Sequence, residues 1–411
     1  MILKIELENF YSIKERICID FIAANINTAQ SRELAFNTLK WKDSTILKSI
    51  GLFGPNASGK SNIIKAIDFC CRLIIESHLK NEGDTFPFEP FRFDGYTNKP
   101  SRFLINFVCE NIEYEYSFEL TKQGINKESL YYYPQGRRAR LFTRDESQEK
   151  PYSFSEGTFV KPSDVVDSTS RMNLFLSRAS SMKREKAQTI YRYFLSTFLS
   201  GIIPMTDYST IEAYFDKYRK VLLTALNICD SDICDIRMEK EKSRQLIQRE
   251  NVLPMVVEAE SLKFKTFHKH SPAISFDMAS DESNGTRRLF YLLLSLLDVV
   301  KNKKVIMADE FDLSLHTKLA EFILDIIHAS ESSQFLFTSH NTNLIDTSKL
   351  RRDQIVFVNK KSDGSTETYT LYDFKDFRET MDAEKGYHQG RFDAVPYVDS
   401  SVSSLKKLLE E

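Results

Sequence analysis

The chain has no long apolar run, no excess of one charge and no cysteine pairing pattern, and each absence removes a class of function. Its six cysteines, Cys18, Cys70, Cys71, Cys109, Cys229 and Cys234, contain no CxxC pair and no histidine-rich neighbourhood with zinc spacing. That argues against a disulfide framework or a zinc site and favours reduced thiols in a cytosol. No apolar segment reaches the roughly 20 residues of a membrane span, and residues Met1 to Glu8 alternate like a strand where a secreted chain would carry an apolar signal core. The expectation is a cytoplasmic protein without membrane contact. Formal net charge is −2, so no global field draws the protein onto nucleic acid or lipid. There is no internal repeat or low-complexity tract, and 411 residues leave room for about two or three packed units.

Against that background one segment is specific. Gly54 to Ser61 spells G-x-x-x-x-G-K-S, the pattern in which backbone N–H groups at a helix start wrap a phosphate chain. Gly54 and Gly59 permit the close wrap, Ala57 and Ser58 add backbone donors, Lys60 neutralises the β- and γ-phosphates, and the Ser61 hydroxyl ligates magnesium. The flanks agree: Ile46 to Phe53 reads as a buried strand, and Lys60 to about His78 as an apolar, glycine-free helix.

Elsewhere the pattern divides the chain into three parts. Residues 1–165 hold an opening hairpin (Ile2 to Leu7, Arg16 to Phe21), the phosphate loop, and an antiparallel lobe in which Phe103 to Cys109 and Tyr114 to Leu120 meet at a turn near Asn111. Residues 166–265 read as a helical insertion of mixed charge. Residues 266–411 return to α/β alternation: a helix from Gly285 to about Lys301, a strand from Lys304 to Ala308, a helix from Leu315 to Ala329, and a strand from Gln334 to Thr338. A hairpin turning at Asp363 and Gly364 and a polar tail follow. The fold class expected is α/β, with a mixed or parallel sheet flanked by helices.

Two strand ends carry further chemistry. The run Val305 to Ala308 ends in Asp309 and Glu310, and ligands of such sheets bind at the carboxyl edge. Asp309 is placed to hold Mg²⁺ with Ser61, and Glu310 to polarise the attacking water. His340, ending the second strand, is placed to sense the γ-phosphate as a neutral imidazole, although a strand-end histidine also reads as a surface residue. Ser283 and Gly285 precede an apolar helix, where Ser283 serves as a cap and Gly285 allows close anion approach.

The order of these motifs resembles the ABC ATPases of the SMC/RecF head type. Leu7 to Lys14, Gly54 to Asn62, Asp309 to His316 and Thr338 to Asn341 are similar to the AAA-type, ABC-like ATPases linked to restriction loci and abortive infection. These are related to the ATPase part of overcoming-lysogenization-defect proteins, and Lys385 to Pro396 resembles that family's tail. The resemblance implies a P-loop NTPase using ATP and Mg²⁺, with Pro55, Asn56 and Asn62 joining Gly54, Ala57, Ser58, Gly59, Lys60 and Ser61 at the nucleotide. It implies that Ser283 and Gly285 complete the site of a second subunit, hence a homodimer or higher even-numbered oligomer. It also implies an effector protein in trans, in anti-phage defence. Two departures stand out: Glu282 to Thr286 keeps only the serine and second glycine of the Leu-Ser-Gly-Gly-Gln signature, and His316 stands where an aspartate is usual. About 70 residues follow His340, and since domains rarely fit that space after the hairpin, the expectation is that there is no in-chain nuclease.

The alternative is a DNA-binding repair or DNA-sensing ATPase. Arg137, Arg138, Arg140 and Arg144 follow Tyr131 to Tyr133, and aromatics beside arginines suit strand stacking. A membrane-transporter subunit is poorly supported by the divergent signature and the long insertion. Mixed-charge segments at Lys183 to Lys186 and Arg237 to Gln245 read as solvated helix faces, or as an effector's docking surface. The tail around Tyr387 and Arg391 either contacts a partner or caps the fold.

Overall fold

The computed structural model of the chain describes all residues except 158, 201–207, 230–231, 248–254, 379, 396–400 and 402–411. Alternating apolar positions build β1 (Ile2–Glu8) and β2 (Ile17–Asp20), an antiparallel pair with Ile5 opposite Ile19. A short helix, α1 (Ala29–Glu33), leads into the hairpin of β3 (Thr38–Trp41) and β4 (Ser44–Leu47), and β5 (Ser49–Phe53) follows. The single strand expected over 46–53 is therefore two strands in different sheets. At the break, the buried Lys48 ammonium donates to the carbonyls of His328 and Ser330 at 2.7 and 2.6 Å, placing a cation at the carboxyl end of a later helix.

Past the glycine loop, α2 (Lys60–Glu76) turns Ile63, Ile67, Cys70 and Ile74 inward at helical spacing. Next come β6 (Ser101–Cys109), β7 (Ile112–Thr121), β8 (Gly124–Tyr133), β9 (Ala139–Asp145) and β10 (Tyr152–Phe154). With β1 and β2 they form a seven-stranded antiparallel sheet in the order β10-β9-β8-β7-β6-β1-β2. The chain then runs through α3 (Pro162–Asp167), α4 (Phe175–Ser181), α5 (Glu185–Thr197), β11 (Phe198–Ser200) and α6 (Tyr208–Ile228).

Helix ends there. β12 (Ile233–Ile247), β13 (Met255–His268) and β14 (Ser271–Asp277) make a three-stranded antiparallel ribbon, so the helical reading of the stretch up to 265, Arg237 to Gln245 included, is corrected. The physical reason is a period of two: Ile236, Phe264 and Thr266 are buried, Met238 faces Phe264 across the strands, and the Phe264 ring lies 5.1 Å from Phe215 of α6. Charged neighbours such as Lys263 and Glu241, 2.6 Å apart, occupy the other face.

The remaining elements are α7 (Asn284–Lys301), β15 (Val305–Ala308), α8 (Thr317–Ala329), β16 (Gln334–Ser339), β17 (Ile355–Lys360), β18 (Thr366–Thr370) and α9 (Ala383–His388). The second large sheet is ordered β11-β15-β16-β5-β17-β18, parallel as far as β17 and closed by antiparallel β18. It is an α/β sheet, apolar on both faces. Ile50, Leu52, Met307, Leu336 and Val356 face a core shared with α2 and the antiparallel lobe. Ile306, Ala308, Phe335, Phe337 and Phe357 face a second core with α7, α8 and the tail. Gln334 ties the two large sheets together: its Oε1 accepts from Ile2 N at 2.6 Å and its Nε2 donates to Ile2 O at 2.9 Å. None of the described helices is long and apolar enough to cross a membrane.

Candidate active site

The buried strand β5 ends where the phosphate loop begins, and the loop's glycines are there for want of space. A Cβ at Gly54 would sit 2.1 Å from the Val358 carbonyl. Gly59, at φ +110, would meet the Thr366 hydroxyl at 2.0 Å and Ser12 Oγ at 2.8 Å. Thr366 and Ser12 act as an outer brace: their hydroxyls are 2.7 Å apart, Thr366 donates to Ser58 O at 2.8 Å, and Asn62 Nδ2 donates to Ser12 Oγ at 2.7 Å. Asn56 and Ala57 are exposed, Ala57 at φ +61, and Pro55 and Ser61 are half-buried.

Lys60 is 5% exposed. Its ammonium curls back to donate to the carbonyls of Gly54 and Pro55 at 2.8 and 3.0 Å. Burial pulls its pKa down to about 8, opposed by the charges of Asp309 and Glu310. Beside it the buried Ser58 hydroxyl has no hydrogen-bond partner among the described residues. A buried cation held, among the described residues, only by carbonyls and a hydroxyl without a partner there fit an anion in the loop.

The acids lie at the carboxyl end of β15, one strand away from β5 across β16. Asp309 is exposed and Glu310 half-buried. The Thr338 hydroxyl donates to Asp309 Oδ1 at 2.6 Å and accepts from Glu310 N at 2.7 Å. Glu310 has φ +46, a strained conformation costing about 1 to 3 kcal/mol, and its carbonyl accepts from Arg288 of α7. One oxygen of its carboxylate lies 3.7 Å from His340 Nε2. Burial, then the charge of Lys60, lowers the His340 pKa, which keeps the ring neutral at pH 7. The buried Asp312 accepts from Ser339 Oγ at 2.7 Å, and burial raises its pKa.

The structure thus gathers Lys60, Asp309, Glu310 and His340 at one sheet edge. Ser283 and Gly285 are different. Ser283 caps α7, accepting from Thr286 N at 3.0 Å, and Gly285 lies against the Ser314 carbonyl; neither contact is to the loop 54–62. His316 caps α8 through Nδ1, which accepts from Lys318 N at 3.2 Å. Sequence reasoning missed Ser12, Thr366, Thr338 and Arg288 as members of this neighbourhood. Thr338 sits inside a motif already singled out; Arg288 had only its charge on an apolar helix as a signal.

The tail caps the fold at Tyr387, which is 5% exposed and stacks on Phe357 with centroids 5.8 Å apart. His388 and Tyr387 also line a cleft of 380 Å³ with Gly54, Asn56, Ser339 and His340, so the carboxyl-terminal segment forms one wall beside the loop. A larger, polar groove of 670 Å³ over α8 and the start of α9 contains none of the phosphate-loop residues. Arg391, the other tail residue singled out, donates to Met381 Sδ and Asp376 O.

One member of the arginine cluster is corrected. Arg144 is 2% exposed, donates to Asn173 O at 2.7 Å and pairs with Glu146 at 2.6 Å and Glu128 at 3.9 Å, so it serves the core and not a strand of DNA. Arg138 lies over the Tyr131 ring at 3.5 Å and pairs with Glu115 at 2.5 Å; Arg137 and Arg140 are exposed.

No curated protein matches this sequence. Among solved structures, the SMC head domain from Thermotoga maritima is 15% identical, with a TM-score of 0.39 and coverage of 90% of this chain and 98% of that one. A Smc head domain with an extended coiled coil, bound to the C-terminal domain of ScpA from Pyrococcus furiosus, is 14% identical, with a TM-score of 0.40 and coverage of 95% and 99%. A SmcHead bound to the C-winged helix domain of ScpA is 15% identical, with a TM-score of 0.40 and coverage of 90% and 97%. The family model described as "AAA domain, putative AbiEii toxin, Type IV TA system" matches residues 49–346, well over half of the chain with the phosphate loop, acid pair and histidine inside the match, and the protein belongs to that family.

Proposed function

We propose that the protein is a Mg²⁺-dependent ATP hydrolase that works as a two-fold dimer and, as a nucleotide switch, controls an effector protein in anti-phage defence. The observation that carries the hydrolase reading is Lys60: a buried ammonium that, among the described residues, has only loop carbonyls to bond, at the sheet edge that also holds Asp309 and Glu310. Lys60 and the loop amides bind the β- and γ-phosphates. Ser61 and the exposed Asp309 are the oxygen donors that would hold Mg²⁺, which, when bound, neutralises charge on those phosphates. Glu310 takes a proton from water as the water oxygen bonds to the γ-phosphorus and the bond to the bridging oxygen breaks, giving ADP and phosphate. Neutral His340 donates to the γ-phosphate and loses that contact when phosphate leaves.

The dimer is supported by the separation of Ser283 and Gly285 from their own chain's loop contacts: exposed and half-buried, respectively, at the start of α7, they are placed to complete a second subunit's site. ATP then favours a closed pair and ADP an open one. The defence setting is supported by the family's description, which names a toxin of a toxin–antitoxin system. The test is steady-state ATP hydrolysis by the purified chain, with and without duplex DNA, against Glu310→Gln protein. Turnover above that background and indifferent to DNA supports a partner-gated switch. Strong stimulation by DNA favours the DNA-sensing alternative, and hydrolysis by Glu310→Gln at the wild-type rate removes Glu310 from its role.

A further inference from the structure

One hydroxyl governs both acids of the site. Thr338 is fully buried near the end of β16, the strand between the acid strand β15 and the loop strand β5. Its Oγ1 accepts from Glu310 N at 2.7 Å and donates to Asp309 Oδ1 at 2.6 Å. Those two bonds use the hydroxyl's proton and a lone pair in fixed directions, so the group has no rotational freedom left. The consequences differ for the two residues. Asp309 is turned so that Oδ1 is occupied and Oδ2 has no donor among the described residues. Glu310 is held at φ +46 with its N–H satisfied, which sends its carboxylate toward His340 at 3.7 Å.

We propose that Thr338 is a positioning residue for hydrolysis: its hydroxyl presents the free Asp309 oxygen to the divalent cation and fixes the Glu310 backbone so that the carboxylate faces the water. The proposal rests on the hydrolase reading above. Ser339 continues the same strand onto Asp312 at 2.7 Å, so successive residues of β16 hold the turn after β15. Apolar replacement removes the partner of Glu310 N and Asp309 Oδ1 while keeping the side chain's volume, and outer-shell losses of this kind cost about 10- to 100-fold in metal affinity or turnover.

The experiment compares wild type, Thr338→Val and Thr338→Ser in two measurements: Mn²⁺ titration of the ADP complex by electron paramagnetic resonance, and kcat and KM for ATP. Thr338→Val is expected to bind Mn²⁺ about tenfold more weakly and to lose about 10- to 100-fold in kcat, with nucleotide affinity measured in chelator within about twofold of wild type. Thr338→Ser is expected to recover both within about threefold, because it keeps the hydroxyl. Where Thr338→Val does not fold, Thr338→Cys, with its weak donor, takes its place. Wild-type values in the Val or Cys protein, or equal losses in the Ser protein, overturn the proposal. A wild-type protein that binds Mn²⁺ with ADP but turns over no faster than Glu310→Gln sinks the hydrolase reading and with it the role of Thr338 toward Glu310 and the water, leaving its role toward Asp309 and the cation to the Mn²⁺ titration; one that binds no Mn²⁺ with ADP sinks both.

Discussion

The Lys60 ammonium donates to the Gly54 carbonyl at 2.8 Å, and no carboxylate comes within ion-pair distance of it among the described residues. Burial holds its pKa near about 8, well below the ordinary lysine value. The sign follows: between about 8 and the ordinary value the unfolded chain carries a proton that the folded chain has released, so this group makes the free protein more stable as pH rises through that window. Bound phosphates act the other way, favouring the ammonium and raising its pKa. ATP binding near pH 8 is therefore expected to take up a proton and to weaken as pH climbs past 8, by up to about tenfold per unit. Calorimetry in two buffers of different ionisation heat measures the uptake, and Lys60→Ala should abolish it. Binding that is flat from pH 7 to 9 would remove Lys60 from the phosphates.

A second prediction concerns the brace around the loop. At Gly59 a methyl group would lie 2.0 Å from Thr366 Oγ1 on a backbone at φ +110, so Gly59→Ala must displace β18 or the loop. Nucleotide affinity should fall by about 100-fold or more, given strain of about 1 to 3 kcal/mol plus the lost loop shape. Adding Thr366→Ala clears the nearer clash and leaves Ser12 Oγ at 2.8 Å, so the double variant should recover part of the loss. A fluorescent ATP analogue reads both. Equal affinity of Gly59→Ala and wild type would mean that Thr366 does not shape the loop.

The contrast between these two sites explains what the sequence could reveal. Lys60, Ser61 and the Asp309–Glu310 pair are legible because their chemistry is local: a spacing within one loop, or two acids at the end of one apolar strand. Thr366 and Ser12 meet across 354 positions, and Arg288 reaches Glu310 from a neighbouring helix; nothing short of the folded sheet brings them together. Residues 237–245 misled for another reason. Alternating Glu and Lys satisfy a solvated helix as well as a ribbon, and it was Phe264 packing on Phe215 that chose the strand. Lys48 broke an apolar run by finding two carbonyls of a helix end far along the chain.

The buried pair of Arg144 and Glu128 yields a third prediction, about stability and not binding. Glu128 accepts from the backbone N–H groups of Phe175 and Leu176 at 2.7 and 3.0 Å and from Tyr116 at 2.8 Å, tying β8 to the start of α4. Arg144→Met leaves that carboxylate without its cation, and breaking a buried pair from one side costs about 3 to 5 kcal/mol. The urea midpoint should drop accordingly, while Arg137→Ala with Arg140→Ala should leave it unchanged. Loss of duplex DNA binding in the exposed double variant, with stability intact, would revive the DNA-sensing alternative.

The last prediction separates a shared site from a self-contained one. If Ser283 of one subunit completes the site built on Lys60 and Glu310 of the other, Ser283→Arg and Glu310→Gln proteins should each be inactive and yet restore activity when mixed. In the mixed dimer, the intact loop and Glu310 of the Ser283→Arg chain face the intact Ser283 of the Glu310→Gln chain, while the other site carries both defects. Random exchange makes half of the dimers mixed with one working site each, so about a quarter of the wild-type rate should return. Recovery should require ATP-dependent association, read as a doubling of mass in light scattering. A mixture that stays at background while both proteins pair normally would place Ser283 in its own chain's site, or outside hydrolysis altogether.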